Sequence, residues 1–273
     1  MNRHSDNSSN HKTVLAAQTL SVGYGERLVI PELSLQITMG TITALVGPNG
    51  SGKSTILKAL ARLVTPKTGA VYLDGRVIAS MSTREVARQL AILPQGPISP
   101  EELTVGELVE QGRYPHAGPL RMLREQDHAA ITEALTETNM TELRHRRLDS
   151  LSGGERQRAW IALALAQATP VLLLDEPTTF LDVGHQLEVL TLIQQLNRTQ
   201  GKTIVLVLHD LNQAARFADR IIVLQAGRIV ADGLPKEVLT TALLAEVFQV
   251  QAHIISHPVD GLPVCLPYAV GEA

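Results

Sequence analysis

The segment Gly47-Pro-Asn-Gly-Ser-Gly-Lys-Ser54 fits the pattern G-x-x-x-x-G-K-[ST], and it lies between a predicted strand and a predicted helix, as that pattern requires. It follows Ile42–Val46, an apolar run typical of a central strand that is buried on both faces. Residues 53–63 come next, with apolar side chains at helical spacing. A glycine loop between a strand and a helix start turns its N–H groups inward and binds phosphate. The segment therefore predicts a phosphate-binding loop in an α/β fold.

Two side chains of this loop have defined chemistry in the pattern. Lys53 is expected to reach the β- and γ-phosphates of a nucleotide, and the hydroxyl of Ser54 is expected to ligate Mg²⁺. The alternative, a glycine-rich turn with an exposed lysine, is disfavoured by the strand before it and the helix after it. The nucleotide-binding residues predicted here are Gly47, Pro48, Asn49, Gly50, Ser51, Gly52, Lys53, Ser54 and Thr55.

A second apolar strand, Val171-Leu-Leu-Leu174, leads into the two acids Asp175 and Glu176. In open α/β sheets, ligands bind at the carboxyl ends of the strands. We expect Asp175 to hold Mg²⁺ and Glu176 to orient or deprotonate the attacking water, a task worth roughly 10² to 10⁴ in rate. Two acids at a solvated strand end are the alternative, and the phosphate loop disfavours it.

The motif Leu151-Ser-Gly-Gly-Glu155 precedes residues 156–168, which are apolar around the whole helical circumference and so predict a buried helix. Ser152 followed three residues later by Glu155 is a capping-box pattern. The unpaired N–H groups at this helix start, beside two glycines, also form an anion site. Capping and anion binding are compatible, because a capped helix end can still face a phosphate.

Taken in order, these motifs resemble those of the nucleotide-binding subunit of an ATP-binding-cassette (ABC) transporter, over nearly all of the chain. By that resemblance, residues 47–55 are the Walker A loop, residues 151–155 the signature and residues 172–176 the Walker B strand. The family usually has Gln where Glu155 stands. Three single residues complete the set, namely the Q-loop Gln95, the D-loop Asp182 and the switch His209.

The resemblance implies ATP and Mg²⁺ as cofactors and a head-to-tail dimer, in which each ATP lies between two copies or between this chain and a partner cassette. The signature residues Ser152, Gly153 and Gly154 would then clasp the γ-phosphate of the ATP of the opposite subunit. The remaining roles implied are a γ-phosphate contact for His209, stacking on adenine for Tyr24, nucleotide binding for Asp182 and a third Mg²⁺ ligand in Gln95. The catalytic residues predicted in this way are Glu176, His209, Gln95 and Lys53.

The implied fold class is α/β, a P-loop NTPase with a mostly parallel central sheet, an N-terminal antiparallel β subdomain and a helical subdomain. We predict a flexible tail at residues 1–12, an ABC ATPase domain at 13–250 with its helical subdomain at about 97–150, and a C-terminal β extension at 251–273.

Local patterns add four elements. Asp-Gly at positions 74 and 75 predicts a tight turn after a strand. Residues 125–138 predict an amphipathic helix, residues 221–230 a hairpin turning at 225–228, and residues 235–248 one short helix opened by a proline.

Composition excludes several classes of protein. Lys+Arg 24 against Asp+Glu 27 leaves a net charge of −3, which disfavours a nucleic-acid-binding protein, and the 8 aromatic residues are nowhere clustered.

No run approaches the roughly 18 apolar residues of a membrane-spanning helix, and the N-terminus does not resemble a secretion signal. The single cysteine, Cys265, excludes an internal disulfide and is predicted to be a packed thiol.

Finer resemblance indicates the transported substrate. Residues 112–116, 155–162, 175–182 and 208–214 look like the ATPase subunits of bacterial iron–siderophore importers. This similarity implies a membrane permease, a second ATPase subunit and, indirectly, a substrate-binding protein as partners, at the cytoplasmic side of the bacterial inner membrane. A haem or vitamin B12 importer ATPase and a non-transport ABC scaffold are the alternatives. Lys53 and Ser152 are 99 positions apart, which is too few for the coiled coil of repair ATPases.

Overall fold

The computed structural model describes residues 12–97, 102–117 and 122–271. The predicted tail lies outside these ranges apart from Lys12, as do the last two residues of the predicted C-terminal extension. The strands are β1 Thr13–Tyr24, β2 Arg27–Thr38, β3 Ile42–Val46, β4 Thr68–Leu73, β5 Arg76–Val77, β6 Leu90–Leu93, β7 Val171–Asp175, β8 Thr203–Val207, β9 Arg220–Gln225, β10 Arg228–Gly233, β11 Val250–Ser256 and β12 Pro263–Val270. The helices are α1 Lys53–Leu60, α2 Thr83–Ala87, α3 Val105–Gln111, α4 Glu125–Glu137, α5 Gly153–Ala166, α6 Val183–Gln200, α7 Leu211–Phe217, α8 Pro235–Val238 and α9 Thr241–Phe248. Within the described ranges, no helix combines the length and the apolar character needed to cross a bilayer.

Six of the described strands form the central sheet, in the order β10-β9-β3-β8-β7-β6. From β9 to β6 every neighbouring pair is parallel, and β10 pairs antiparallel with β9 at one edge. The predicted α/β fold with a mostly parallel central sheet is thus confirmed. The carboxyl ends of β3, β6, β7 and β8 lie at one edge of this sheet, which is where such sheets bind their ligands.

The inner strands β3, β7 and β8 of the central sheet are buried on both faces, and their side chains are mostly apolar for this reason. In β3, Ile42 and Ala44 belong to one hydrophobic core while Leu45 belongs to the other, and β7 and β8 alternate in the same way. The first core also contains buried side chains of α5 and α6, and the second contains those of α1. Each buried leucine or isoleucine contributes about 1.5–3 kcal/mol, so the strand ends are held firmly.

An antiparallel sheet in the order β2-β1-β4-β5 covers α1 and confirms the predicted N-terminal β subdomain. The predicted turn joins β4 to β5, with φ of 46° at Asp74 and 76° at Gly75. Positive φ at both central residues is the geometry of the tight hairpin turns that favour Asp-Gly.

The C-terminal strands β11 and β12 pair with each other antiparallel. The side chain of Asn212 in α7 holds this hairpin: its Nδ2 donates to the carbonyl of Cys265 at 3.1 Å and its Oδ1 accepts from the Cys265 N–H at 2.7 Å. The Cys265 thiol is buried, which confirms the predicted packed thiol, and burial raises its pKa.

The helical subdomain contains a buried ion pair where α3, α4 and α5 meet. Arg113 Nη2 lies 2.9 Å from Asp127 Oδ1, with 6% and 0% of the two side chains exposed. The same guanidinium donates from Nη1 to the carbonyl of Ala166, the last residue of α5, at 2.6 Å. The pair therefore ties the residues after α3 to the first turn of α4 and the end of α5.

Two predicted helix ends are wrong by two or three residues. Helix α1 ends at Leu60 rather than Leu63, because Arg62 has a φ of 60° and the N–H of Leu63 turns back to a carbonyl of the preceding turn. This is the common left-handed helix ending. Helix α5 ends at Ala166, and Ala168 is likewise left-handed with a φ of 54°.

The single helix predicted from Pro235 to Phe248 is also wrong. Helix α8 ends at Val238, Leu239 is extended, and the Thr240 hydroxyl accepts the N–H of Leu243 at 3.2 Å to begin α9. A threonine that caps a new helix competes with continuation of the old one.

We expect Asp127→Ala to lower the free energy of unfolding by about 3–5 kcal/mol, because it leaves the Arg113 guanidinium buried without a counter-charge. Urea unfolding followed by circular dichroism measures this change. The matched control is Asp149→Ala, which removes the exposed carboxylate 2.7 Å from Arg147 and should leave the urea midpoint unchanged. Equal midpoints for the two variants would contradict the importance of the buried pair.

Candidate functional site

The phosphate loop adopts backbone conformations that favour glycine. Gly47 and Gly52 have φ of 148° and 100°. A Cβ at Gly47 would lie 2.1 Å from the carbonyl oxygen of Leu224, and one at Gly52 would lie 2.4 Å from Cδ1 of Ile30. Helix α1 begins directly after Gly52, whose position supplies no side-chain cap. The first N–H groups of α1 are thus available to an anion.

Lys53 is folded back into the loop rather than extended into solvent. Its Nζ donates to the carbonyl oxygens of Gly47 at 2.8 Å and Pro48 at 3.0 Å, and the residue is 5% exposed. Burial lowers the pKa of Lys53, while the negative charges of Glu176 and Asp175 oppose that change. Among the described residues, the Lys53 ammonium has no carboxylate at hydrogen-bond distance, and a phosphate would supply a charged partner.

Ser54 and Asp175 meet at the carboxyl end of β7. The Ser54 hydroxyl donates to Asp175 Oδ1 at 2.8 Å, whereas Asp175 Oδ2 is buried and has no hydrogen-bond partner among the described residues. Burial raises the pKa of Asp175, and the hydrogen bond from Ser54 opposes this. Hydroxyl and carboxylate oxygens are ligands that Mg²⁺ prefers, so these two residues fit the predicted ion.

Glu176 is the first residue after β7 and has a φ of 52°, an uncommon conformation for a residue other than glycine. Three side chains hold its carboxylate. His209 Nε2 lies 2.7 Å from Oε1, while Gln95 Nε2 donates to Oε2 at 2.6 Å and Thr179 Oγ1 donates to the same oxygen at 3.0 Å. The structure thus brings three predicted catalytic residues together from segments that follow β6, β7 and β8.

The phosphate loop, Glu176 and His209 surround one open hollow of about 170 Å³. Its lining consists of Val29, Asn49, Gly50, Gly52, Lys53, Ser54, Thr55, Glu176 and His209. Ser51, by contrast, is buried within the loop, and its hydroxyl oxygen has no partner among the described residues. A polar hollow of this kind, with unpartnered donors and acceptors beside it, suits a highly charged ligand.

The signature residues form the start of α5. Ser152 accepts the N–H of Glu155 at 3.3 Å, and the Glu155 carboxylate accepts the N–H of Ser152 at 2.8 Å, so the predicted capping box is present. This exchange lowers the pKa of Glu155, chiefly through the Ser152 N–H. Gly154 packs against α6, where an added Cβ would lie 2.4 Å from Cδ2 of His185. The exposed hydroxyl of Ser152 does not line the hollow of its own phosphate loop.

Two further predicted residues lie away from that hollow. Asp182 caps α6, accepting the N–H of His185 at 2.9 Å and contacting its Nδ1 at 2.9 Å, and these contacts lower the pKa of Asp182. Tyr24 lies at the end of β1 and is 50% exposed. Neither side chain is among those that line the hollow.

Sequence reasoning does not single out Thr179, although it contacts Glu176 directly. Its only sequence signal is a hydroxyl residue three positions after the acid, within a turn. Val29 of β2 is likewise not expected beside the phosphate loop, because its place there depends on how the antiparallel sheet packs over α1.

A glycine phosphate loop after β3 and two carboxylates at the carboxyl end of β7 define the class of P-loop nucleotide hydrolases. Within that class, the model of the ABC transporter family matches residues 30–179. The chain belongs to the ABC transporter family and is an ATPase subunit of that family.

Individual relatives cover most of the chain. It is 50% identical to the iron(3+)-hydroxamate import ATP-binding protein FhuC of Bacillus subtilis (strain 168), over 93% of this chain and 94% of the relative. It is 47% identical to the ferric enterobactin transport ATP-binding protein FepC of Escherichia coli (strain K12), over 93% of each chain. Its fold is similar to the dimeric post-hydrolysis structure of the ATP-binding cassette MJ0796 bound to ADP and Pi, with a TM-score of 0.71, 29% identity and coverage of 81% and 98%.

We expect Lys53→Ala to weaken ATP binding by about thirtyfold or more, because it removes the buried positive charge beside the hollow. Titration calorimetry with ATP and Mg²⁺ measures the affinity. Lys236→Ala, which removes an exposed ammonium from α8, is the control and should bind ATP like the wild type. An unchanged affinity in Lys53→Ala would contradict the phosphate-loop assignment.

Proposed function

We propose that this ATPase powers import of an iron–siderophore complex through a separate membrane permease. The convergence of Lys53, Asp175, Glu176 and His209 at one sheet edge is the observation that supports ATP hydrolysis. The cargo is inferred from relatives named for import of iron(3+)-hydroxamate and ferric enterobactin, which cover more than nine tenths of the chain.

ATP would bind with its phosphates on residues 47–55. The free N–H groups at the start of α1 would donate to phosphate oxygens. The ammonium of Lys53 would exchange its contacts with the carbonyl oxygens of Gly47 and Pro48 for contacts to phosphate oxygens. Ser54, Asp175 and Gln95 would hold Mg²⁺, which offsets the negative charge of the phosphates. The unpartnered oxygen of Asp175 supports this assignment.

Glu176 would act as the general base. The attacking water would give a proton to the Glu176 carboxylate as its oxygen bonds to the γ-phosphorus and the bond to the ADP oxygen breaks. His209 would turn from Glu176 to the γ-phosphate. It lines the hollow together with the phosphate loop, and 45% of its side chain is exposed, which leaves room for this turn.

A complete site would need two cassettes. Ser152 and Gly153 are exposed at the start of α5, Gly154 is buried against α6, and none of the three lines the phosphate hollow of the same chain. They would contact the γ-phosphate in the other cassette, with Asp182 beside them, while Tyr24 would stack on adenine. The dimer of the cassette MJ0796 supports such pairing, and we propose a homodimer.

ATP would favour the closed dimer, because its contacts to the second signature exist only there, and hydrolysis would release it. Movement would reach the permease through the segment after Gln95, which leads into the helical subdomain. We place the assembly at the cytoplasmic side of the bacterial inner membrane, with a substrate-binding protein supplying the iron chelate from the other side.

We expect Glu176→Gln to keep ATP binding while its hydrolysis rate falls roughly 10²- to 10⁴-fold, because the amide cannot accept the proton of the water. ATP should then convert the protein from a monomer to a dimer, measured by sedimentation velocity. Wild-type turnover in this variant would refute the assigned role of Glu176.

Disulfide formation checks the geometry of that dimer. In a Glu176→Gln, Cys265→Ala background, cysteines at the exposed positions Asn49 and Ser152 should link two chains only when ATP is present. The control replaces Val259, which is 87% exposed in the C-terminal hairpin, and combines it with the cysteine at position 49. Equal cross-linking of both pairs would argue against a head-to-tail arrangement.

The cargo is tested in the native cell. We expect tagged Glu176→Gln protein to capture a polytopic membrane protein, and a strain with this variant as its sole copy to lose uptake of radiolabelled ferric siderophore. Haem and vitamin B12 uptake should remain normal in that strain. Loss of either uptake instead would identify a different cargo, and absence of a captured membrane protein would favour the non-transport scaffold.

A further inference from the structure

The carboxylate of Glu176 has three side-chain partners, and the proposed function gives two of them a second task. His209 contacts Oε1, and Gln95 and Thr179 share Oε2. In the ATP-loaded state, His209 would contact the γ-phosphate and Gln95 would contact Mg²⁺. The single Nε2–H of His209 cannot donate to Glu176 and to the γ-phosphate at once, so this contact ends when ATP is bound. Gln95 donates to Glu176 from Nε2 and would bind Mg²⁺ through Oε1, so its side chain is then positioned by the ion rather than by Glu176.

Thr179 differs from the other two partners in where it lies. It belongs to the same turn as Glu176, and the two residues are joined twice: the Thr179 hydroxyl donates to Oε2 at 3.0 Å, and the Thr179 N–H donates to the Glu176 carbonyl at 3.3 Å. Gln95 and His209 come from segments after β6 and β8. Movement of those segments toward a nucleotide would leave the link between Thr179 and Glu176 intact.

The uncommon backbone conformation of this turn makes the link between Thr179 and Glu176 necessary. Glu176 and Phe180 have φ of 52° and 65°, conformations that are uncommon and strained for residues other than glycine. A carboxylate on a strained backbone needs a fixed partner to stay within hydrogen-bond reach of a water, and small displacements of a catalytic group reduce rates steeply.

We propose that Thr179 is a positioning residue that holds Oε2 of Glu176 in the ATP-loaded state, so that Oε1, released by His209, accepts the proton of the water. This inference rests on the proposed role of Glu176 as general base. The hydroxyl of Thr179, rather than the bulk of its side chain, carries this role.

Three substitutions separate the hydroxyl from the methyl group of Thr179. Thr179→Val keeps the branched shape and loses the hydroxyl, Thr179→Ser keeps the hydroxyl and loses the methyl group, and Thr179→Ala loses both. We expect kcat for ATP hydrolysis to fall about tenfold to a hundredfold in the Val and Ala variants, the effect of losing one hydrogen bond to a charged group. The Ser variant should stay within about twofold of the wild type. The KM for ATP and the ATP-dependent dimer should be unchanged in all three, because Thr179 does not line the phosphate hollow.

A purely structural role predicts a different pattern. It would lower kcat in Thr179→Ser and preserve it in Thr179→Val, which fills the same space, and that result would overturn the inference. Wild-type kcat in Thr179→Val would overturn it as well. Glu176→Gln, assayed in parallel, separates this inference from the proposed function: an active Glu176→Gln refutes the general base, whereas an inactive Glu176→Gln beside a fully active Thr179→Val refutes only the role of Thr179.

Discussion

The site depends on one constraint, the parallel pairing of β3, β8, β7 and β6 as neighbours in the central sheet. Parallel strands present all of their carboxyl ends at the same edge, so residues far apart in sequence meet there. Glu176 contacts Gln95, which is 81 positions away, because their strands β7 and β6 are hydrogen-bonded neighbours. Since each strand alternates its side chains between two buried cores, a shift of any one strand would disturb both cores.

At the same edge of the central sheet, two ionisable side chains lie in surroundings that disfavour their charged forms. Burial lowers the pKa of Lys53 and raises that of Asp175, and oxygen atoms of Ser51 and Asp175 are buried without partners among the described residues. Each unsatisfied buried group costs about 1–3 kcal/mol in the protein without ligand. In the proposed function a triphosphate with its cation would contact Lys53 and Asp175, so part of the binding free energy would come from relieving an unfavourable arrangement that the fold enforces.

Sequence patterns predict the fold and most of the site because each pattern involves residues that are close together in the sequence. A buried strand, a glycine loop and a helix start are adjacent from Ile42 to Leu60, and the order of such units implies a parallel sheet. The helical spacing of apolar residues does not predict the left-handed residue that ends α1. It also does not predict that Thr240 caps a new helix, which separates α8 from α9. Contacts among side chains, such as that between Thr179 and Glu176, depend on the turn geometry that the finished sheet imposes.

Glu155 departs from the family pattern but makes the same helix-capping contact as the usual residue. Its carboxylate accepts the N–H of Ser152, a task that the amide oxygen of the usual glutamine can also perform. The Ser152 oxygen accepts the N–H of Glu155 in return, which leaves the hydroxyl hydrogen free to donate to a phosphate. A carboxylate adds negative charge near that phosphate, and the positive charges of Arg158 and Arg146, which help lower the pKa of Glu155, offset it. The capped helix start would therefore keep its proposed role as an anion site with glutamate in the place of glutamine.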